Sequence, residues 1–437
     1  MKPLLIYLVI LCLVQSVYAK KNDEKDVIKV VNKVLTDENK SSKKIDKLIP
    51  SGLENDTTIY IAKLNGGGFI VVSADDAAVP VLVLNLEGDF DMEKMPSGLL
   101  YLIEKYQYSI GELRKNKIEA PDKVKVKWEH YLGSSDQATL KSALTVNSVS
   151  PMIETSWRQA GYNQYYPSGC SAGCTAVAMA RILYHWRAGV YPEGSNTHDG
   201  QTANFGSTNY NMCLMSATSP DNYNSLLIYH AGISCNTDYD TDGSSSTTTK
   251  AKNGFVNFWG LHADKKERIL NLLTWEDMMY ECLDQGRPIL YGGSDLWLNG
   301  HNWVIDGYDS DGKFSCKWGW STSYDSYCYL GNFDPDGDNG PYNQYEDAIF
   351  DIYPLYEPGI ISGPATLTNS GANYSVPNPI PFAYATWTFS SNIQSVYGGN
   401  DFVVLRSLSS GTGWIQASYN FCGKSISFGR IYVTLSY

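Results

Sequence analysis

The 437-residue chain holds nine cysteines and six histidines, and one of each stands in a setting suited to nucleophilic catalysis. Cys174 follows Ser171-Ala-Gly and opens the run Thr-Ala-Val-Ala-Met-Ala-Arg-Ile-Leu-Tyr-His-Trp186. The small Ala176, Ala178 and Ala180 suit a helix packed closely on several sides. Ser171 reads as the N-cap and Gly173 as a point of tight backbone approach, which puts Cys174 in the first helical turn. There the unpaired N–H groups and the positive end of the helix dipole favour thiolate over thiol, the form that attacks a carbonyl. The plain alternative is a buried structural cysteine, a common core residue. A nucleophilic thiolate needs an imidazole. His301, in Asn299-Gly-His-Asn-Trp-Val-Ile-Asp-Gly-Tyr308, follows Gly300 and begins an apolar strand that would fix its backbone. His185 lies on the same helix as Cys174, about 16 Å along it and out of reach. His130, His198, His230 and His262 have no such setting. A lone histidine is ordinarily a surface or hydrogen-bonded residue; the pairing with Cys174 singles out His301.

The elements that must hold these two groups are readable from periodicity. Cys174 to Trp186 is the helix, and Pro288-Ile-Leu-Tyr291, Trp303-Val-Ile-Asp306 and Lys313-Phe-Ser-Cys-Lys-Trp318 are strands. Helix first and sheet later predicts an α+β domain over 146–356. Ahead of it, residues 20–145 predict a small α+β unit: a helix over Val27–Leu35, a hairpin of Thr58–Lys63 and Gly68–Ser73 joined at Asn65-Gly-Gly, a strand at Val79–Leu84, and a helix opened by Pro96. From Ala120 to Thr145 the alternating Lys123, Lys125 and Lys127 predict an exposed connector. After Pro358-Gly359, short alternating runs broken by Ser, Asn and Gly predict a small all-β sandwich over 357–437.

Composition narrows the classes of function. With 43% hydrophobic residues, 32 Tyr and 11 Trp, the chain can bury large cores and is not a disordered polypeptide. A net charge of −12 excludes nucleic acid as the main partner. The charge is uneven, with residues 20–145 nearly balanced at −1 and residues 146–437 at −12, which marks the first segment as having a separate task. Residues 1–19 have the order of a secretory signal peptide: Lys2, an apolar run Leu4–Val14, and the small Ala19 before Lys20-Lys-Asn-Asp-Glu24. Export to the cell surface or beyond is therefore expected, with no membrane span in the mature protein. Eight cysteines remain after Ala19, which permits disulfides but leaves their pairing open. No cofactor or metal is expected. Asp238-Tyr-Asp-Thr-Asp-Gly243 matches the start of a calcium loop, but Thr249 stands where a bidentate Glu is required. It and Asp334-Pro-Asp-Gly-Asp338 read as acidic turns.

Trp157-Arg-Gln159, Gly173-Cys-Thr-Ala-Val-Ala-Met-Ala180, Gly300-His-Asn-Trp-Val-Ile-Asp-Gly-Tyr308 and Trp318-Gly-Trp320 occur in the order of the streptopain family of papain-like cysteine peptidases, which the chain resembles over roughly residues 20–355. Residues 20–145, with Gly66-Gly-Gly-Phe-Ile-Val-Val-Ser-Ala-Asp-Asp76, look like that family's inhibitory propeptide, and the tail looks like the Ig-like modules appended to secreted bacterial proteins. The resemblance implies a papain-like domain in which Cys174 attacks the peptide carbonyl and His301 is its ion-pair partner and then the acid for the leaving amine. It implies that the Gln159 side-chain amide and the Cys174 N–H stabilise the oxyanion, that Trp318 shields the ion pair, and that Gly300 and Trp320 line the substrate site. Two departures stand out. Lys317 occupies the position before Trp-Gly-Trp where the family usually has Asn, and Cys170 lies four residues before the nucleophile.

These readings predict a secreted cysteine endopeptidase made as a zymogen. Its partners would be protein or peptide substrates and its own propeptide, an intramolecular inhibitor. Two other functions use the same residues: a Cys/His amidase or transglutaminase-like acyl transferase, and a surface binding protein whose catalytic site is impaired.

Overall fold

The computed structural model describes residues 20–53, 56–88, 91, 95, 97–134, 147–162, 164–295, 299–335, 342–380 and 382–437. The segment 1–19 expected to be an export signal, residues 135–146, which include the end of the expected connector, and most of Asp334–Asp338 lie outside the described residues. The chain divides into two compact units, Met1–Leu144 and Thr145–Tyr437.

In the first unit, helix α1 (Glu24–Asp37) buries Val27, Val30, Val31, Val34 and Leu35, a stripe at helical spacing. Asp23 caps it by accepting the Asp26 N–H. A four-stranded antiparallel sheet follows, ordered β1 (Ile45–Leu53), β2 (Asp56–Leu64), β3 (Phe69–Ser73) and β4 (Val81–Asn85). β2 and β3 form the hairpin, and β1 is an edge strand that the pattern hides because Pro50 and Gly52 interrupt it. Two more helices are α2 (Ser97–Lys115) and α3 (Asp122–Leu132). Helix α3 corrects the expected connector. Val124 and Trp128, one turn apart, are buried while Lys123 and Lys127 are half-buried and Lys125 is exposed, and Gly133 closes the helix at φ 78°. His130 on α3 is buried as well, with Nε2 2.9 Å from Asp37 Oδ2. The carboxylate of buried Asp75 accepts from Arg114 Nε at 2.8 Å, which gives the Ser-Ala-Asp-Asp segment a structural role.

The second unit pairs a helical part with a sheet. Helices α4 (Cys174–His185), α5 (Asn222–Ser234) and α6 (Thr248–Phe258) share one core with the small hairpin β5 (Ser195–His198) and β6 (Gln201–Asn204). Every residue of α4 after Cys174 is buried, which the alanines permit. Helix α7 (Trp275–Asp284) covers the sheet. That sheet comprises β7 (Leu261–Glu267), β8 (Ile289–Ser294), β9 (Gly300–Tyr308), β10 (Phe314–Lys317), β11 (Ser326–Cys328) and β12 (Gln344–Pro354). The strand order is β11-β10-β9-β8-β12-β7, antiparallel throughout, with β9 central and carrying His301.

The C-terminal strands are β13 (Thr366–Thr368), β14 (Ala372–Ser375), β15 (Ala385–Phe389), β16 (Ile393–Gly398), β17 (Phe402–Ser407), β18 (Gly411–Phe421) and β19 (Lys424–Ser436). They make one sheet ordered β13-β19-β18-β15 and a second ordered β14-β17-β16, around a core that includes Leu367, Tyr374, Leu405, Ile415 and Tyr419. This β-rich region is fastened to the helical part. A Cys213–Cys422 disulfide joins segments 209 residues apart, and Arg187 donates to the carbonyls of Phe421 and Cys422 at 3.2 and 3.0 Å.

Candidate active site

Gly173 precedes α4 with φ 81°, a conformation that disfavours any other residue, and a Cβ there would lie 3.1 Å from the Ser244 carbonyl oxygen. Gly173 is therefore the N-cap, with no side-chain cap bond, and not Ser171 as the residue types suggested. Ser171 uses its carbonyl instead, accepting from Ser244 Oγ at 2.6 Å. No cap side chain competes for the first N–H groups of the helix, and Cys174 stands at the very start of α4, partly exposed.

Of the groups that lower the pKa of the Cys174 thiol, His301 acts most strongly. On its other side, Nε2 is 2.8 Å from the carbonyl oxygen of Trp318. A carbonyl can only accept, so Nε2 carries the proton and Nδ1 is left to face sulfur. The ring is buried in an aromatic enclosure: Trp320 at 4.5 Å between centroids, Tyr342 at 5.4 Å, Trp318 at 6.0 Å and Trp303 at 6.2 Å. Burial pushes the Cys174 thiol up, but the hydrogen bond and charge of His301, the Asn302 N–H and the Thr175 hydroxyl outweigh it and bring it down to about 7. The ionised form is thereby favoured near neutrality, with an imidazole as its neighbour.

Gln159 is carried to the same place by its backbone. Its N–H donates to the Gly319 carbonyl at 2.9 Å, and its carbonyl accepts from Ala172 N at 3.2 Å, tying it to Trp-Gly-Trp on one side and to the loop that precedes Cys174 on the other. Trp157 anchors that loop from the core, donating from Nε1 to the Ser216 carbonyl at 2.8 Å. Gly300 begins β9 opposite Ser294 and is exposed, with open space where a Cβ would sit. Trp318 is fully buried and Trp320 partly so.

Two contributors escaped the reading of residue types. The Asn302 backbone N–H helps to lower the thiol pKa, while its side-chain oxygen accepts from Thr175 Oγ1 at 2.8 Å, tying β9 to the first turn of α4. The residue holding His301 is Trp318, through its main-chain carbonyl, so Lys317 takes nothing away from that contact. A main-chain group leaves no mark in sequence; only the position of Asn302 next to His301 could have pointed to it. Cys170 is buried with a free thiol. Asp238 pairs with His198 Nε2 at 2.7 Å and Lys250 Nζ at 3.3 Å. Among the described residues no group of three or more His, Cys, Asp and Glu could hold a metal ion, and no helix is long and apolar enough to cross a membrane.

Residues 157–328 match the Peptidase C10 family and residues 22–110 match the Spi protease inhibitor. The chain is 28% identical over 345 residues to the thiol protease/hemagglutinin PrtT of Porphyromonas gingivalis, a match covering 71% of this chain but 38% of that protein. It is 23% identical over 344 residues to streptopain of Streptococcus pyogenes, covering 71% of this chain and 84% of streptopain. Among solved structures, active wild-type interpain A cysteine protease of Prevotella intermedia is similar over 48% of this chain and 97% of its own, at 26% identity and a TM-score of 0.44. A prointerpain A fragment from the same organism is similar over 71% of this chain and 100% of its own, at 23% identity and a TM-score of 0.42.

Proposed function

We propose that this chain, a member of the Peptidase C10 family of cysteine-type peptidases with a Spi-type inhibitor domain ahead of its peptidase domain, is a secreted endopeptidase made as a zymogen. The observation that carries the reading is the Cys174 thiol, held near neutrality beside a His301 ring whose other nitrogen is fixed by the Trp318 carbonyl.

The Cys174 thiolate adds to the substrate carbonyl carbon, and the oxyanion that forms is met by the Cys174 N–H and the Gln159 side-chain amide. His301, protonated in the ion pair, gives its proton to the leaving amine as the C–N bond breaks, leaving an acyl thioester. Water, deprotonated by the now neutral imidazole, attacks the thioester; the acid product leaves and the thiolate is restored. The indole walls of Trp318 and Trp320 keep solvent from the ion pair, which strengthens it. Gly300, exposed and without a side chain, offers main-chain groups to an extended substrate. The inhibitor domain, residues 20–145, would be removed by cleavage beyond α3, between Gly133 and Ser150, from a peptidase domain of residues 146–356 followed by a β-sandwich module of residues 357–437.

The test is casein hydrolysis by the residue 20–437 form under reducing conditions, before and after limited proteolysis, beside Cys174→Ala. Activity should appear as the N-terminal segment is lost and be absent from Cys174→Ala. Processed, folded wild-type protein no more active than Cys174→Ala across a broad peptide panel would overturn the reading.

A further inference from the structure

Behind His301 lies a cluster of charged side chains that the proposed chemistry does not use. Asp325, in the loop leading into β11, accepts the Trp318 N–H on Oδ1 at 3.2 Å. Its other oxygen is 3.9 Å from Lys317 Nζ, with both side chains largely buried, at 15% and 19% exposure. Arg181, seven residues after Cys174 on α4, is 2% exposed, and its Nε and Nη1 have no hydrogen-bond partner. The carboxylates whose charge it feels are Asp325 and Asp306 of β9, and Asp306 itself keeps one buried oxygen, Oδ1, unpaired. Asp325 and Lys317 therefore stand against the Trp318 backbone, and the buried Arg181 of α4 and Asp306 of β9 are near enough for their charges to act on them. A buried charge is tolerated only where opposite charge compensates it, so removing one member disturbs the others.

The Lys317-Trp-Gly319 segment is the part of the fold that most needs such support. Trp318 gives its carbonyl to His301 Nε2, Gly319 gives its carbonyl to the Gln159 N–H, and the Trp318 indole donates to Ser326 Oγ at 3.1 Å. The Trp318 N–H is held by Asp325.

We propose that Asp325 is a positioning residue for the Cys174–His301 pair: it fixes the Trp318 backbone so that its carbonyl stays aimed at His301 Nε2, and Lys317 with Arg181 keeps that carboxylate charged and in place. The inference rests on the reading of Cys174 and His301 as the reacting pair. It also gives Lys317 a task of its own. The residue that departs from the family pattern holds the carboxylate that holds the histidine's partner. Burial pushes Asp325 above the usual carboxylate range, and the opposing pull of Arg181, Lys317 and the Trp318 N–H is what favours its ionised form.

The test uses the processed enzyme and two readouts: the pH midpoint of Cys174 alkylation by iodoacetamide, followed by peptide mass spectrometry, and kcat and KM for a peptide substrate at pH 6. The charged groups that bear on Asp325 are Lys317 from β10 and Arg181 from α4, with Asp306 from β9 facing the same two cations. A Trp318 carbonyl that wanders stabilises the imidazolium less, so the thiol ionises later. Asp325→Ala should raise the alkylation midpoint by about one unit and lower kcat about tenfold with KM within about twofold. Asp325→Asn, which keeps an oxygen for the Trp318 N–H, should recover part of the shift. Lys317→Met should show a smaller shift in the same direction, and Lys317→Arg should restore the wild-type midpoint. If Asp325→Ala fails to fold, as thermal melting would reveal, the Lys317 pair decides: equal midpoints in Lys317→Met and wild type overturn the proposal. So does a folded Asp325→Ala with unchanged midpoint and kcat, even in an enzyme whose Cys174→Ala form is dead. Should wild-type protein hydrolyse nothing yet show the midpoint shift in Asp325→Ala, the peptidase reading fails and the positioning role stands.

Discussion

Helix α4 carries a titratable side chain at each end, and the direction of the helix dipole agrees with the shift of only one of them. At the N-terminus the Cys174 thiol is lowered to about 7; at the C-terminus the His185 imidazole is lowered to about 4. The dipole favours an anion at the first end and a cation at the second, so it should raise His185. Its contribution is about 0.3–1 kcal/mol, less than one pKa unit. At His185 burial is the largest influence, and together with the charge of Lys424 it outweighs the pull of the Met152 and Gly286 carbonyls and of Glu154. At Cys174 burial acts against ionisation too, and the His301 imidazolium with the Asn302 N–H reverses it. The imidazole partner, more than the helix end, sets the ionisation of Cys174.

Removing the partner is the largest way to break that contrast. His301→Ala leaves the helix end untouched, so the Cys174 alkylation midpoint should climb from about 7 toward or beyond the ordinary thiol value of about 8.5, with kcat/KM down at least about 10³-fold. A midpoint still near 7 in His301→Ala would show that the helix end suffices and that the comparison is misdrawn. Gln159→Ala sharpens it from another direction. An oxyanion donor acts on the transition state and not on the resting thiol, so kcat should fall about 100-fold with the alkylation midpoint unmoved. A moved midpoint would mean that Gln159 holds the ion pair and not the oxyanion.

The two ends of α4 also differ in how far sequence could reveal them. Ala176, Ala178 and Ala180 made the helix legible because close packing on several sides needs small residues, and His301 was legible because it sits between Gly300 and an apolar strand. Ser171 misled, since a Ser ahead of a helix reads as a cap whether or not a positive-φ glycine has taken that position. Helix α3 was missed because alternating lysines suggest extended, exposed chain, while the informative pair was Val124 and Trp128 with Gly133 beyond them. The Trp318 carbonyl and the Asn302 N–H have no residue signature at all, and the Cys213–Cys422 pairing is a choice among eight cysteines that only tertiary structure makes. His185 was set aside for distance alone. Its burial, against the Met152 carbonyl and the Trp186 ring, and the charge of Lys424 from the β-rich region are tertiary facts that the helix sequence does not carry.

The far end of α4 makes a prediction about stability. His185 takes up its proton at about 4 when folded and at an ordinary 6.5 when unfolded, so the unfolded chain binds more protons between those values. The stability His185 contributes is fully present above pH 6.5 and is lost as pH falls toward 4, by roughly 3 kcal/mol in all. Chemical denaturation of the processed protein between pH 7 and pH 4 should show a fall that is shallower by about this amount in His185→Gln. Equal slopes in the two proteins would mean that His185 is charged in the fold, and that the dipole and the carbonyls beside it have prevailed over burial.

The smallest effect separates burial from charge at that same end. Lys424 lowers His185 by repulsion, and its ammonium lies 3.8 Å from Glu154, with 38% of the side chain exposed. Water screens a charge that open to solvent, so Lys424→Met should raise the His185 titration, followed by NMR, by only a few tenths of a unit, worth less than about 0.5 kcal/mol. Burial is untouched by the substitution because Lys424 approaches from the rim while the ring itself is only 8% exposed. A rise to about 6.5 in Lys424→Met would reverse the order of causes: charge, not desolvation, would be what keeps His185 neutral. The two ends of α4 would then obey one rule, each set by the charge that faces it.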